Sequence, residues 1–295
     1  MFKNFRIGVQ FVYKVSKNIV EDVDMYNGYD PTLTDEVGLV WLPYDATDPG
    51  WDGVFGTDDD QALRVYGLRN GRPTPSYHGI NPPEAKRKYW AAILTFDKRM
   101  SHRWQLQGSV LYSQFKGNHQ PSYTESEGQS VMFDNPNTLI NAYGSVAFDR
   151  PFQLKIMGTY ILPYDIIISA YFQARSGSAW GRTLARVYFP SGFGAQSSYA
   201  GSILTEPSGS RWLPSYTNLD LRVEKKFPIR DKAQLGFYVD IFNLAGASGI
   251  NINQNPAAYL YSYREPPSQT LSSTYKRITS VYGVRSIRLG ARVTF

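Results

Sequence analysis

The feature that most restricts how this chain can fold is a two-residue alternation of apolar and polar side chains along much of its length. In residues 219–224, for example, aliphatic side chains alternate with Asp220, Arg222 and Glu224. Successive side chains of a β-strand point to opposite faces, so the pattern predicts strands with one apolar and one polar face. Counting similar segments, we expect an all-β, antiparallel fold of about eight strands, near residues 5–13, 90–97, 103–116, 153–162, 166–175, 219–224, 234–241 and 287–295.

The predicted connections alternate strictly between short and long. The short ones are residues 100–102, 163–165 and 228–232, and the long ones are residues 16–87, 117–150, 176–218 and 243–285. Structureless loops of such length are uncommon in compact soluble domains, whereas outer-membrane barrels join their strands by short periplasmic turns and longer extracellular loops. The spacing therefore predicts a transmembrane β-barrel segment with both chain ends on the periplasmic side.

The surroundings of such strands explain the two faces. Every backbone polar group in hydrocarbon needs a partner, so the strands must pair with one another, and their outer face must be apolar. The inner face meets water or a plug and can carry charge. We expect the lipid-facing set to include Trp104, Leu106, Val110, Leu221, Val223, Phe237, Val239, Leu289 and Val293, and the inward set to include Gln105, Arg222, Asp240 and Arg292.

The amino-acid composition is compatible with a transmembrane β-barrel and argues against a nucleic-acid-binding protein and a helical membrane protein. Aromatic residues make up 15% of the chain while mean hydropathy is −0.37, which suits a barrel with aromatic girdles and equally an aromatic-rich soluble β protein. The net charge of +6 is spread along the chain without a basic run, so a nucleic-acid partner is not expected. No apolar stretch is long enough for a transmembrane helix, and Arg6, Gln10 and Lys14 interrupt the apolar core that a signal peptide needs.

Six segments together resemble the barrel of TonB-dependent outer-membrane receptors, in particular the Oar-like group. They are residues 48–60 (DPGWDGVFGTDDD), 87–113, 134–163, 218–228, 240–244 and 286–295 (SIRLGARVTF). The resemblance implies a location in the bacterial outer membrane and a role in ligand uptake. Members of the family have barrels of about 22 strands around an N-terminal plug and receive energy from TonB through an N-terminal box.

This chain resembles only the C-terminal part of that plan. Residues 1–295 are interpreted as a single barrel portion without plug, signal peptide or TonB box. The partners implied are outer-membrane lipid, the barrel assembly machinery and an unknown ligand, with TonB acting only through the missing N-terminal region. We expect the chain by itself to form an open curved sheet or a strained closure, and not to transport ligand. The alternative is a surface-exposed adhesion or binding protein whose long loops act while the barrel serves as an anchor.

No catalytic or cofactor-binding constellation is present in the sequence, so the chain is not predicted to be an enzyme. The three histidines lack metal-ligand spacing, and nucleophile-elbow, zincin and phosphate-loop patterns are absent. One segment is a candidate Ca²⁺ loop, because carboxylate oxygens can converge around glycine turns; a solvated acidic turn is the alternative. Its candidate ligands are Asp48, Asp52, Asp58, Asp59 and Asp60.

The last residue, Phe295, follows alternating apolar residues and resembles the C-terminal signal that the outer-membrane assembly machinery recognises. Such recognition works by strand addition, in which an exposed edge strand pairs with the insertase and an aromatic side chain anchors it. The alternative is an ordinary final strand that ends in phenylalanine.

Overall fold

The computed structural model of the chain describes residues 4–119, 133–147, 149–189, 192–194, 198–230, 233–246, 249–252, 257–259, 270–271 and 273–295. These residues form strands, two short 3₁₀ turns at Pro136–Leu139 and Pro163–Asp165, and no α-helix. Accordingly, none of the described segments is a helix long and apolar enough to cross a membrane. The eight principal strands are β1 (Phe5–Lys17), β2 (Lys86–Ser101), β3 (Trp104–Gly117), β4 (Phe152–Leu162), β5 (Ile166–Arg175), β6 (Tyr216–Arg230), β7 (Ala233–Phe242) and β8 (Ser286–Thr294).

These strands lie side by side in chain order, each antiparallel to the next. The two-residue strand Gly144–Ser145 pairs with the far end of β3 and brings the sheet to nine strands. Strands β1 and β8 are the edges and do not pair with each other, so the sheet is open. The predictions of an all-β antiparallel fold, about eight strands and an open sheet are therefore confirmed.

The register separates the apolar and polar residues onto opposite faces. Side chains directly opposite each other on paired strands share a face, so a residue's cross-strand partners identify its side. One row across β3 to β8 is apolar, and the row beside it is polar. The apolar row is Trp104, Tyr160, Ile168, Val223, Val239 and Leu289. The polar row is Gln105, Thr159, Ser169, Arg222, Asp240 and Arg288.

The short connections are tight turns. His102 and Arg103 join β2 to β3, and both have left-handed backbone conformations, with φ of 52° and 70°. Positive φ at both central residues is the requirement of a two-residue type I′ hairpin, whose twist matches that of the flanking strands. Tyr164 and Asp165, between β4 and β5, are also left-handed. The predicted turn between β6 and β7 includes residues 231–232, which lie outside the described part of the chain.

Two of the lysines on the apolar face, Lys98 and Lys225, lie toward these short turns. The ammonium group of Lys98 donates to the carbonyl oxygens of Ser101 (3.1 Å) and Trp104 (3.0 Å). The ammonium group of Lys225 donates to the carbonyl oxygen of Tyr164. In both cases the aliphatic stem covers apolar surface while the charged end reaches backbone oxygens at the end of the sheet.

A contact that depends on a glycine lies on the same face. Gly108 is opposite Phe96 of β2, whose ring lies directly over it. A Cβ atom on Gly108 would be 2.2 Å from the ring and 2.8 Å from the carbonyl oxygen of Lys155. The close approach of this ring to the backbone therefore depends on the missing side chain.

The four long connections fold together into a separate layer, which we call the loop layer. It is built mostly from short antiparallel pairs. They are Glu21–Asp24 with Tyr77–Ile80, Thr34–Asp35 with Gly38–Leu39, Trp41–Asp48 with Gln61–Leu68, Ala179–Trp180 with Arg211–Trp212, Thr183–Tyr188 with Ser198–Leu204, Gly249–Ile252 with Ile278–Tyr282, and Ala257–Tyr259 with Thr270–Leu271. One parallel bridge joins Thr183–Tyr188 to Ala257–Tyr259.

Among the described residues, the buried apolar clusters lie in the loop layer and not in the sheet. The largest cluster joins the first and third long connections and consists of Ala46, Leu63, Val65, Leu184, Val187, Phe189 and Ile203. A second joins the first and second connections through Val23, Ala85, Phe133 and Ala142. On the sheet, by contrast, Val9 is 80% exposed and Leu289 is 75% exposed. The apolar face of the sheet is therefore uncovered by the rest of the described chain.

Candidate functional site

The polar face of the sheet is organised around Asp240 in β7. Its carboxylate accepts two hydrogen bonds from the guanidinium group of Arg222, at 2.5 and 3.0 Å, and a third from Nε of Arg288 at 2.8 Å. Next to it, Nη2 of Arg292 donates to Glu224 at 2.7 Å. Both carboxylates are almost fully buried, whereas the side chains of Arg288 and Arg292 are 57% and 53% exposed. The sheet therefore presents cationic groups whose counterions lie beneath them.

A cavity of about 480 Å³ lies against this polar row. Its polar lining includes Gln105, Gln107, Tyr171, Asp220, Arg222 and Arg288. Amide, phenol and guanidinium groups can all form hydrogen bonds with a polar ligand or with another protein segment. The cavity thus offers polar groups beside apolar side chains such as Met157, Leu221 and Phe242.

A buried ion network holds the loop layer together. Arg182 makes a bidentate pair with Asp48, with distances of 2.9 and 2.8 Å, and contacts Glu206 at 3.3 Å. Burial raises the pKa of Asp48 despite the opposing effect of Arg182. Burial also pushes the pKa of Glu206 upward, but hydrogen bonds from Arg211 and from the backbone of Arg182 outweigh it and leave that pKa below its ordinary value. The network connects the first long connection to the third.

An exposed aromatic and cationic cluster lies beside this network. The centre of the Trp51 ring lies 4.1 Å from the guanidinium carbon of Arg211 and 3.9 Å from Nζ of Lys276. Trp180 and Tyr275 pack at ring-centroid distances of 6.1 and 6.3 Å. Trp51 remains 41% exposed. A partly exposed indole with two cations beside it can bind an anionic group through the charges of the cations.

The structure places the five aspartates of the candidate Ca²⁺ loop in different environments. Asp48 is paired with Arg182 as described above. Asp52 and Asp60 accept backbone N–H bonds within the loop, from Val54 and Gly56, and Asp59 accepts from the backbone of Trp51 at 2.5 Å. Asp58 is exposed. No three of these side chains bring carboxylate oxygens within 4.8 Å of one another, and calcium binding in this loop stays a prediction.

The remaining sites named from the sequence stay separate from these clusters. Phe295 follows β8 and is 97% exposed, and its role as an assembly signal stays a prediction. Of the three histidines, His119 lies in the loop layer with Nε2 2.5 Å from Oε2 of Glu21. The sequence did not identify Arg182, Glu206 and Trp51 as candidate site residues. Their main partners are distant in the chain, so no local spacing of residues predicts these contacts.

No family model matches this chain, and no curated protein matches it significantly. Among solved structures it is similar to the outer membrane transporter YddB from Escherichia coli, with a TM-score of 0.43 and 13% identity over 100% of this chain and 31% of that one. It is also similar to the siderophore receptor PiuA from Acinetobacter baumannii, with a TM-score of 0.38 and 13% identity over 99% of this chain and 34% of that one. The chain thus spans about a third of the length of these structures.

Proposed function

We propose that this chain is the C-terminal barrel portion of a TonB-dependent receptor of the bacterial outer membrane, and that the complete receptor takes up a ligand. The observation that carries the membrane part of the proposal is the exposed apolar face of the sheet. Burial of apolar surface stabilises a protein by about 25 cal/mol per Å², and large apolar faces are rarely left in water. The hydrocarbon chains of a lipid bilayer can cover such a face without a second protein layer packed against the sheet.

The sheet also has the other features that a membrane-spanning strand requires. Its backbone groups pair from strand to strand, as hydrocarbon demands, except along the outer edges of β1 and β8, which would pair with further strands in a complete barrel. Trp90 and Trp104 share the lipid-side face near opposite ends of the sheet, where aromatic girdles lie. Lys98 and Lys225 reach backbone oxygens toward the short turns, which places their charges near the periplasmic interface.

The polar face would line the barrel interior in this proposal. Asp240 and Glu224 are almost fully buried beneath their partners, whereas the side chains of Arg222 and Arg292 remain 36% and 53% exposed and can contact a plug or water. The sequence resemblance of residues 48–60, 87–113 and 286–295 is what favours the TonB-dependent receptors among outer-membrane barrels. The proposal assigns no enzymatic activity to the chain.

The loop layer is the part that would meet the ligand outside the cell. It is folded around its own buried clusters, so it holds the exposed ring of Trp51 and its two cations in a defined arrangement. We propose this cluster as one ligand-contacting surface of the receptor, and Phe295 as the residue by which the assembly machinery recognises the last strand. Coupling to TonB would require the plug and TonB box of a complete receptor.

The folded loop layer also supports the alternative, a surface-exposed binding or adhesion protein for which the sheet is only an anchor. A layer with its own cores can bind a partner without any transport. The DNA upstream of the first codon distinguishes the two functions. An upstream reading frame that encodes a plug and a TonB box would support the receptor. If related genes encode the long loops but are not preceded by such a reading frame, the adhesion protein is supported.

Lipid contact itself can be tested with tryptophan fluorescence. The chain is refolded into vesicles that contain lipids brominated in the acyl chains, which quench indole groups in the hydrocarbon region. In the W104F variant, the fraction of tryptophan fluorescence that bromine quenches should decrease, because Trp104 contacts lipid in this proposal. In the matched W51F variant of the loop layer, the amount of quenched fluorescence should stay the same, and only unquenched fluorescence should be lost. Equal losses of quenchable emission in both variants would contradict the proposed position of the sheet.

A further inference from the structure

Three carboxylates that no motif brings together meet in the loop layer. Glu21 and Asp22 begin the short strand Glu21–Asp24 of the first long connection, and Asp134 belongs to the second. One carboxylate oxygen of each lies within 4.8 Å of the other two. The meeting point is fixed by packing, because Val23 and Phe133, the neighbours of Asp22 and Asp134, are buried in the same apolar cluster.

These carboxylates are buried without enough hydrogen-bond donors. The side chain of Glu21 is 1% exposed, and its Oε1 has no hydrogen-bond partner among the described residues. The Oδ1 atoms of Asp22 and Asp134 are likewise buried and without a partner in the described part of the chain. The other oxygen of Glu21 lies 2.5 Å from Nε2 of His119. Burial of a carboxylate oxygen that lacks a donor or a counterion is costly, and a cation bound by the three carboxylates would offset that cost.

The surroundings of Asp134 add negative charge. Its pKa is raised to about 7, first by burial and then by repulsion from Asp22, Glu21 and Asp24. Asp24 is itself fully buried, and its two oxygens accept hydrogen bonds from two backbone N–H groups and an asparagine amide. It strengthens the negative potential at the cluster while its own oxygens are already used. Among the described residues, no cation contributes to the shift in the pKa of Asp134.

We propose that Glu21, Asp22 and Asp134 bind a calcium ion that joins the first long connection to the second. Calcium binds carboxylate oxygens at about 2.3–2.6 Å, so two ligands on opposite sides of the ion are about 4.6–5.2 Å apart. Oxygens within 4.8 Å of one another satisfy that limit. Calcium accepts about 6–8 oxygen ligands in a flexible geometry, whereas magnesium demands a strict octahedron and usually keeps several waters, so a site of three carboxylates favours calcium. Water would complete the coordination.

This site is separate from the candidate loop of Asp48 to Asp60 and does not depend on the transport proposal. In that loop Asp48 faces Arg182, and Asp52, Asp59 and Asp60 each accept a backbone hydrogen bond; Oδ1 of Asp60 is buried without a partner among the described residues. At the cluster of Glu21, Asp22 and Asp134, by contrast, each of the three carboxylates has such an oxygen, and the three carboxylates lie together. The ion would act as a cross-link within the loop layer and would stabilise the packing of Phe133 on the first connection.

The test uses the full chain refolded in detergent micelles and stripped of metal with EDTA. Calcium chloride is titrated by calorimetry, and thermal unfolding is followed with and without calcium. We expect one ion at this site and a melting temperature that rises by several degrees at saturation. The Asp134→Asn variant should lower calcium affinity by at least about tenfold, since it removes one charged ligand.

The same variant gives a second, opposite readout. Without calcium, Asp134→Asn should melt at a higher temperature than the native chain, because it removes repulsion among buried carboxylates. A residue with a merely structural role would lower the melting temperature in both conditions. If Asp134→Asn does not refold, Glu21→Gln provides the same pair of measurements.

Two control variants make the outcome decisive. Asp45→Asn alters an exposed aspartate paired with Arg64 and should leave calcium binding unchanged. Asp59→Asn alters the other candidate loop. Loss of binding in Asp59→Asn with full binding in Asp134→Asn would overturn the proposal, as would the absence of calcium binding to the native chain. Equal binding of magnesium would overturn the identification of the ion as calcium.

Discussion

Replacing Val239 by arginine is the most direct perturbation of the proposed lipid-facing surface. Val239 lies in β7 opposite Val223 and Leu289, in the apolar row of the sheet. It follows Ala233, where β7 begins, by six residues, which is about 20 Å along a strand. With a strand tilt of about 45°, this is about 14 Å along the membrane normal. The apolar band of an outer-membrane barrel is about 25 Å tall, so Val239 lies close to its middle.

The position determines the size of the effect. Arginine on the lipid face near the midplane costs about 2–4 kcal/mol, which corresponds to roughly 30- to 700-fold in the folding equilibrium. Val37 provides a matched control, because it is 70% exposed in the loop layer. An exposed surface substitution there should change stability by no more than about 0.5 kcal/mol.

The assay is urea-induced unfolding of the full chain in phospholipid vesicles, followed by tryptophan fluorescence. We expect V239R to lower the free energy of unfolding by about 2–4 kcal/mol relative to V37R. In the same chain kept in water without lipid, the difference between the two variants should largely disappear, since neither side chain is then in hydrocarbon. Equal stability of V239R and V37R in vesicles would refute the lipid-facing assignment of this row.

Three further substitutions test the packing of the sheet and loop layer, each by chemical unfolding of the refolded chain. R182A leaves the carboxylate of Asp48 buried without its partner and should cost about 3–5 kcal/mol; the double variant R182A/D48N should recover part of this loss, and no recovery would show that the pair is not coupled. N137A removes a side chain that exchanges two hydrogen bonds with the backbone of Tyr66, at 2.8 and 2.7 Å, and a cost of about 1–3 kcal/mol is expected; a neutral result would mean that water replaces both bonds. G108A adds a methyl group beneath the phenylalanine ring that covers it and should cost about 1–3 kcal/mol, whereas unchanged stability would show that the ring moves freely.

The sheet could be predicted from the sequence because its signal is local. Alternation over a few residues shows which side chains share a face, as in 219–224, where the register indeed separates Arg222 from Leu221 and Val223. The short turns at 163–165 and near His102 leave antiparallel pairing of neighbours as the simplest arrangement. The alternation and the short turns each involve only residues that are close in the chain, so both can be read from the sequence alone.

The loop layer could not be predicted in the same way. Trp41–Asp48 and Gln61–Leu68 form a hairpin inside the first long connection, although proline and aspartate interrupt any alternation there. The candidate calcium loop was chosen from its aspartates and glycines alone. Sequence spacing could not show that Asp48 faces Arg182, a residue of another long connection.

The sequence by itself therefore determined the strands, their order and their two faces, because side-chain direction in a strand repeats every two residues and hairpin pairing is local. Only the tertiary structure decided how the long connections pack, that the buried apolar clusters lie among them, and that Glu21, Asp22 and Asp134 come together. Those contacts join residues far apart in the chain. They depend on the combined shape of several connections, which no local pattern of residues encodes.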